Sequence, residues 1–492
     1  MKKNGKFLRL LDGTVHVPDD YARDVGEIKR LLELWTIDPA FRDRYTASPQ
    51  RALDGLDIRR TVEEISPFVC NDKARELQKA EAEGKDEGYP LSVRRYRHFL
   101  NEKLKARSRM REDIKVSDHN FTIWRKRQIN RCMGTLGYRK ADGIVHSPVS
   151  FELSSGCSVG CWFCALASEK LSDTWPYADA NAGLWKDTLQ VVKEVVGPGS
   201  KYGVCYWATE PFDNPDYEKY IGDFARILGR CPQTTTAAPT RDIPRLRRFL
   251  SLARELDSDI DRFSILSLKM LKSVHENFTP EELLRVELIP QNPEASSQYR
   301  KAYSGRTRMP SLKKSYRDLA QSEHSPSTIA CITGFIISMP RRSVSLITPC
   351  PSNSDWPLGH WVLAKGTFQS ADDLHALLTN MMDENFSSGL RIDDRLSFRD
   401  DLGWEIDSDD AYCINSPHMK LEFKTRPYIR DLLNLIGKGK YRVHEIAKML
   451  ERRKGADLHD VFLTLNELHQ KGLFNEDPAF PQRSDKSQGA KP

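Results

Sequence analysis

Three of the ten cysteines in this sequence fall within eight positions. The segment reads Ser155-Gly156-Cys157-Ser158-Val159-Gly160-Cys161-Trp162-Phe163-Cys164. Thiolates are soft ligands, and three so close together make a cradle for zinc or for an iron–sulfur cluster. A structural zinc site takes four protein ligands, commonly as paired Cys-x-x-Cys units. Here the spacings are three residues and then two, and the other cysteines (Cys70, Cys132, Cys205, Cys231, Cys331, Cys350, Cys413) are scattered singly. A cubane cluster held by three cysteines leaves one iron open to the amino and carboxylate groups of a small molecule. Gly156 and Gly160 allow the backbone to fold closely around such a group, and Phe163 beside the last cysteine can shield it.

The elements around this loop set its position. Val149, Phe151 and Leu153 alternate with Ser150, Glu152 and Ser154, which predicts a strand leading into it. Further strands are expected at 202–207, 233–237, 262–268, 286–290 and 328–338, with helices between them, for example 187–196 and 243–255. Strands alternating with helices indicate a parallel α/β unit, and about six such units fit between 145 and 340, a partial barrel by count. Cysteines at the end of the first strand then lie where such folds build their sites.

The remaining regions are read more coarsely. Residues 1–140 read as a helical, polar region, with Ile28, Leu31, Leu32 and Trp35 at helical spacing and a second helix over 91–111. The barrel region takes 141–360, with a last strand at 343–348, and an irregular connecting segment takes 361–424. Residues 425–475 form a separate module: Val443, Ile446, Ala447 and Leu450 share one helical face, Val461, Leu465 and Leu468 another, and Gly472 stands where a helix should end. That spacing resembles a winged helix. The tail, 476–492, is expected to be disordered.

The chain of 492 residues carries a formal net charge of only +6, with 39% hydrophobic and 29% charged residues. Basic clusters such as Arg107–Arg111 and Arg125–Arg127 read as solvated helix faces, so nucleic acid is not expected as a partner. No apolar run of spanning length occurs and no secretory h-region is present, which argues against a membrane and for a reducing cytoplasm where thiolates remain available.

The CxxxCxxC spacing with an aromatic before the third cysteine resembles the radical S-adenosylmethionine superfamily. That resemblance implies a 4Fe-4S cluster on Cys157, Cys161 and Cys164, and S-adenosylmethionine as co-substrate. The superfamily's Gly-Gly-Glu-Pro-like motif matches Ala208-Thr209-Glu210-Pro211, with both glycines replaced and the carboxylate retained. Glu210 is the expected acceptor for the methionyl ammonium, with a helix-capping or surface role as its other reading. Thr209, Thr235 and Thr236 lie near strand ends, and Ser264 and Ser267 could reach a ribose or simply face solvent.

The superfamily motif identifies the initiator rather than the product. The stretch 151–164, together with 343–351 and 356–359, resembles the radical peptide epimerases that turn L-residues into D-residues in ribosomally made peptides. Phe41–Tyr45, Pro49 and Ala52–Leu53 resemble the helix of nitrile-hydratase-like leader peptides. The resemblance implies Cα hydrogen abstraction by a 5′-deoxyadenosyl radical and return of a hydrogen atom from a cysteine thiol. Cys350, between Pro349 and Pro351, is the expected donor, with Cys331 and Cys205 as the backups. The implied partners are a precursor peptide with its leader and a reductant such as flavodoxin or ferredoxin. The edge of the small sheet in the 425–475 module would accept a leader peptide strand. Its second helix, 457–469, holds Asp457, Asp460 and Glu467 and no arginine, unlike a DNA-reading helix, so the module is expected to bind peptide or to be structural. Competing readings are a radical enzyme that makes thioether or carbon–carbon crosslinks, a non-catalytic peptide-binding scaffold, and a zinc-dependent regulator.

Overall fold

The computed structural model describes residues 7–11, 17–258, 260–295, 301–321, 327–407 and 411–479. The N-terminal region is helical: α1 (Asp19–Ile37), α2 (Pro39–Ala47), α3 (Pro49–Asp54), α4 (Val62–Val69), α5 (Asn71–Ala82), α6 (Leu91–Asp113), α7 (His119–Leu136) and α8 (Tyr138–Ala141). Prolines open α2 and α3, where their missing amide costs nothing. Ile28 and Leu31 are fully buried, and Leu32 and Trp35 pack at the rim of the same cluster. Phe41, Tyr45, Ala52 and Leu53 are also buried there. The apolar face that resembles a leader helix is thus taken up by the core of its own region.

The parallel strands follow. β1 (Ser147–Glu152) leads into β2 (Ser154–Ser155), which pairs antiparallel with β3 (Asp173–Thr174) across the intervening loop. Then come α9 (Asp179–Val195), α10 (Tyr217–Leu228), β4 (Thr235–Thr236), α11 (Ile243–Glu255), β5 (Asp261–Ile265), α12 (Leu268–Asn277) and β6 (Val286–Pro290). β4, β5 and β6 pair in parallel. Phe263 and Ile265 of β5 point into the main core, and the alternate residues Arg262 and Ser264 face the other side.

The strand expected at 202–207 is reduced to one parallel bridge, Val204 with Ser150. A 3-10 turn occupies Pro198–Tyr202, and Ala208 at φ +52° ends the extended run. Between this segment and β4 the described link is a side-chain hydrogen bond, Thr235 Oγ1 to Tyr206 Oη at 3.0 Å.

A short helix, α13 (Lys314–Ala320), precedes an antiparallel extension of the sheet: β7 (Ile332–Ser338), β8 (Ser343–Pro349) and β9 (His360–Thr367). β7 pairs in parallel with the free edge of β1, giving the order β1-β7-β8-β9. All seven residues of β7 are buried, as a strand covered on both faces must be.

The described residues of 361–424 form regular elements rather than irregular chain. After β9 come α14 (Ala371–Asn385), opened by a Ser370/Asp373 capping box, and a three-stranded antiparallel sheet, β10 (Gly403–Ile406), β11 (Ala411–Ser416) and β12 (Met419–Lys424). Three helices follow: α15 (Ile429–Gly437), α16 (Val443–Lys454) and α17 (Leu458–Gln470). Their buried residues share one core with Tyr412, Ile414 and Phe423 of the sheet.

Of the tail expected to be disordered, Glu476 pairs with Arg127 of α7 and Asp477 accepts from the Trp356 indole. Residues 480–492 lie outside the described residues. No helix of the described residues is long and apolar enough to cross a membrane.

Candidate functional site

The cysteine loop leaves the C-terminal end of β1 and is closed at its base by the β2–β3 pair. Cys157 donates its amide to the Glu169 carbonyl at 2.9 Å, and Leu171 returns one to the Cys157 carbonyl at 3.3 Å. Gly156 makes this possible. It sits at φ +86°, and a Cβ there would lie 2.5 Å from the Lys170 carbonyl oxygen.

Cys161, the middle thiol, feels both of its neighbours in the loop. Burial pushes the Cys161 thiol up to about 12, and the neighbouring Cys164 and Cys157 add to this. Cys157 is raised by burial, while the Val159 and Gly160 amides aimed at it act in the opposite sense. The Cys164 sulfur has two donors within reach, the Ser168 hydroxyl at 3.3 Å and the Ser168 amide at 3.4 Å. Donors aimed at the sulfurs suit anionic thiolates of the kind that bind metal.

Sulfurs on a single zinc at about 2.3 Å must lie within about 4 Å of one another. Among the described residues, the group of three ligand atoms within 4.8 Å of one another is Glu405, Asp407 and Cys413. The Glu405 group lies on the β10–β11 hairpin, where the Lys420 ammonium already sits 3.2 Å from Asp407 and 3.4 Å from Glu405.

Other segments hold the loop from outside. Arg306 donates to the Cys161 carbonyl at 2.7 Å and to the Ser168 carbonyl, and its own amide reaches the Cys164 carbonyl at 3.0 Å. Gly305 before it has φ +57°, and a Cβ there would stand 2.3 Å from the Ala165 carbonyl oxygen. On the other side, the almost fully buried Asp213 carboxylate accepts from the Ser158 amide at 2.8 Å and from Arg241 at 2.6 Å. None of these clamps has a local sequence motif, because their partners are between 28 and 145 residues away.

Glu210 follows the Val204 segment and is 2% exposed. Thr236 Oγ1 donates to one carboxylate oxygen, and the Ala237 amide donates to the other at 2.8 Å. Burial raises its pKa, and the same carboxylate adds to the rise of the Cys157 thiol. Ala208, at φ +52°, adopts the left-handed backbone that a glycine would favour. Thr209 is half-buried in this turn, its amide on the Tyr206 carbonyl.

Phe163 lies under the Lys301 ammonium, 5.4 Å from its ring centre. Lys301 is 7% exposed, follows β6, and burial lowers its pKa to about 8. Ser264 is half-buried on β5. Ser267 is exposed, and its hydroxyl accepts the Met270 amide at 3.2 Å as the N-cap of α12.

The three candidate donor cysteines lie apart. Cys350 is 1% exposed past the end of β8, its amide on the Gly359 carbonyl. Arg131 and Cys132 of α7 are beside it, and burial pushes its thiol up to about 12. Cys331 packs against the small apolar cluster of Trp207, Ala330, Ile332, Ile336 and Ile347. Leu166 of the cysteine loop and Ala208 of the Glu210 turn pack on the same cluster. Cys205 is in the main core near Cys231 and Tyr217, on the helical side. The structure therefore brings together Cys157, Cys161, Cys164, Glu210, Thr236 and Phe163, with Cys331 nearer to them in packing than Cys350 or Cys205.

No family model matches the chain. The chain is 34% identical over 463 residues to a Sinorhizobium fredii (strain NBRC 101917 / NGR234) protein described as "Uncharacterized protein y4wI", covering 92% of this chain and 88% of that one. Among solved structures it is similar to the crystal structure of BtrN in complex with AdoMet and 2-DOIA, at 13% identity and a TM-score of 0.28, covering 48% of this chain and 81% of that one. A likeness that loose carries no argument about this chain.

Proposed function

We propose that this chain, which belongs to the same family as the Sinorhizobium fredii protein y4wI, is a radical S-adenosylmethionine enzyme that epimerises residues of a ribosomally made peptide. The observation that supports the first half is that the turn carrying the buried Glu210 is tied to the cysteine loop at the C-terminal end of β1, through the Ser158 amide on the Asp213 carboxylate at 2.8 Å. The second half rests on the sequence resemblance to the peptide epimerases.

Cys157, Cys161 and Cys164 would hold a 4Fe-4S cluster, and their donor set fits one. When bound, the cluster and S-adenosylmethionine supply a 5′-deoxyadenosyl radical able to take a Cα hydrogen. The chain's own residues do the placing. Glu210, oriented by Thr236 and the Ala237 amide, accepts the methionyl ammonium. Arg306 and the Asp213–Arg241 pair keep the loop's carbonyls and Ser158 in fixed positions. Trp207, Ile332 and Ile347 present an apolar interior that excludes water. A cysteine S–H then gives one hydrogen atom to the opposite face of the planar substrate carbon, leaving a thiyl that the reductant restores with an electron and a proton. Cys350 is the proposed donor, because its burial keeps it a thiol throughout the physiological range, and a thiolate has no hydrogen to give. The packing of Cys331 beside Leu166 and Ala208 favours it as the second reading.

The test is co-expression with a candidate precursor peptide in deuterated water, read by peptide mass and chiral amino-acid analysis. One deuteron gained per D-residue, lost in Cys350→Ala while 5′-deoxyadenosine still forms, supports both parts. Loss only in Cys331→Ala moves the donor there. A loss of mass without D-residues replaces epimerisation with crosslinking, and zinc without iron in the purified chain removes the radical reading.

A further inference from the structure

The segment that clamps the cysteine loop also presents a distinctive outer surface. Residues 305–320 carry five cations, Arg306, Arg308, Lys313, Lys314 and Arg317, against one carboxylate, Asp318. Arg306 is committed to the loop and Arg308 lies over Tyr303. Lys313 and Lys314 are exposed and Arg317 half-exposed, without a carboxylate partner among the described residues. Two large apolar side chains are exposed on the same short segment, Met309 at 41% and Leu319 at 44%. Exposed cations interspersed with exposed apolar side chains fit a small, transient, electrostatically steered interface.

The segment is also joined to the cysteine loop through aromatic rings. Trp162, between the second and third loop cysteines, stacks on Tyr316 of α13 with centroids 4.6 Å apart and planes 18° apart. α13 in turn packs on the Gly305–Arg308 turn.

We propose that this face docks an acidic one-electron carrier protein, a flavin or iron–sulfur protein of low potential, which delivers electrons to the site behind Trp162. The inference rests on the cluster reading above. Each cleavage of S-adenosylmethionine consumes one electron, so the carrier leaves oxidised by one electron and the site is reduced by one. A carrier must approach the loop's outer edge, and this is the face whose charge complements an acidic protein and whose aromatic stack touches the loop. Transient redox complexes bury small areas and depend on charge for their rate of encounter.

The probe is an acidic flavodoxin in its oxidised FMN form, bound to the full-length chain and followed by surface plasmon resonance at two ionic strengths. The triple variant Lys313→Glu, Lys314→Glu, Arg317→Glu is expected to bind about tenfold or more weakly with a flattened salt dependence, and the corresponding triple Gln variant to fall between. Iron content and dithionite-driven 5′-deoxyadenosine formation stay at the wild-type level while flavodoxin-driven formation falls. Unchanged flavodoxin affinity in the triple Glu variant overturns the proposal. So does loss of precursor-peptide binding with flavodoxin binding intact, which gives the face to the substrate instead. Failure of the wild-type chain to form 5′-deoxyadenosine with dithionite is a separate result, read before any variant is compared, and it sinks the cluster reading.

Discussion

The Arg306 guanidinium donates to the Cys161 carbonyl oxygen at 2.7 Å across 145 residues of chain. The neighbouring Gly305 approaches the Cys164–Ala165 backbone so closely that no side chain fits. Supporting contacts of this kind govern how firmly a metal group is held, with effects on the order of 10- to 100-fold. Gly305→Ala and Arg306→Ala are therefore expected to lose iron to a chelator at least about tenfold faster than wild type. Arg306→Lys should behave like the alanine variant, because one ammonium cannot span two carbonyls as a planar fork does. Bleaching of the visible absorption under chelator measures this.

Glu210 has both oxygens engaged by donors from one short stretch, Thr236 and Ala237. Glu210→Gln removes the charge that an ammonium requires, and roughly 10- to 100-fold weaker S-adenosylmethionine binding is expected. Thr236→Val frees one oxygen of the same carboxylate and should cost about 1 kcal/mol, a severalfold loss. Equilibrium dialysis reads both, and iron content should remain unchanged in each.

Ser168 offers both its amide and its hydroxyl to the Cys164 sulfur. Hydrogen bonds to a ligating sulfur favour the more negative, reduced state. Ser168→Ala keeps the amide and removes the hydroxyl, so a reconstituted chain should show a more negative midpoint in a redox titration followed by electron paramagnetic resonance. An unmoved midpoint would mean the hydroxyl is not directed at the sulfur in the loaded protein.

Asp261, the first residue of β5, accepts the Thr234 amide at 2.9 Å, and burial pushes its carboxyl up to about 7. In an unfolded chain it titrates near 3.9, so between about 4 and 7 the folded state holds the proton more tightly. Its contribution is fully present at low pH and is lost as pH rises through about 7. Asp261→Asn removes that slope while keeping an acceptor for Thr234. Melting temperatures at pH 5, 6, 7 and 8 should show the variant gaining on wild type as pH rises.

The residues legible in the sequence were those whose partners are local. The cysteine loop and Glu210 stand in short motifs, and Val286–Pro290 and Ile243–Glu255 have the bounds their patterns predict. Arg306, Arg241 and Lys301 carry no such signal, because their meaning comes from segments brought together only by folding. The pairing of β7 with β1 was equally hidden, since a strand buried on both faces shows no alternation to fix its side. The β10–β12 sheet is different. Trp404 and Ile406, Tyr412 and Ile414, and Leu421 and Phe423 do alternate, so a period-two signal was present in the stretch read as irregular.

Helix α7 stands between two regions that the sequence keeps far apart. At one flank Arg127 pairs with Glu476, Asn130 donates to the Gln470 carbonyl, and Gly472 lies against the Arg127–Arg131 backbone. One residue on, Arg131 donates to the Pro349 carbonyl at 2.6 Å, next to Cys350. An α-helix of 18 residues is a stiff rod about 27 Å long. Within one turn of that rod, at Arg127, Asn130 and Arg131, α7 touches both the C-terminal helices and the peptide bond before Cys350, so it is a shared strut for two parts of the chain more than 100 residues apart in sequence.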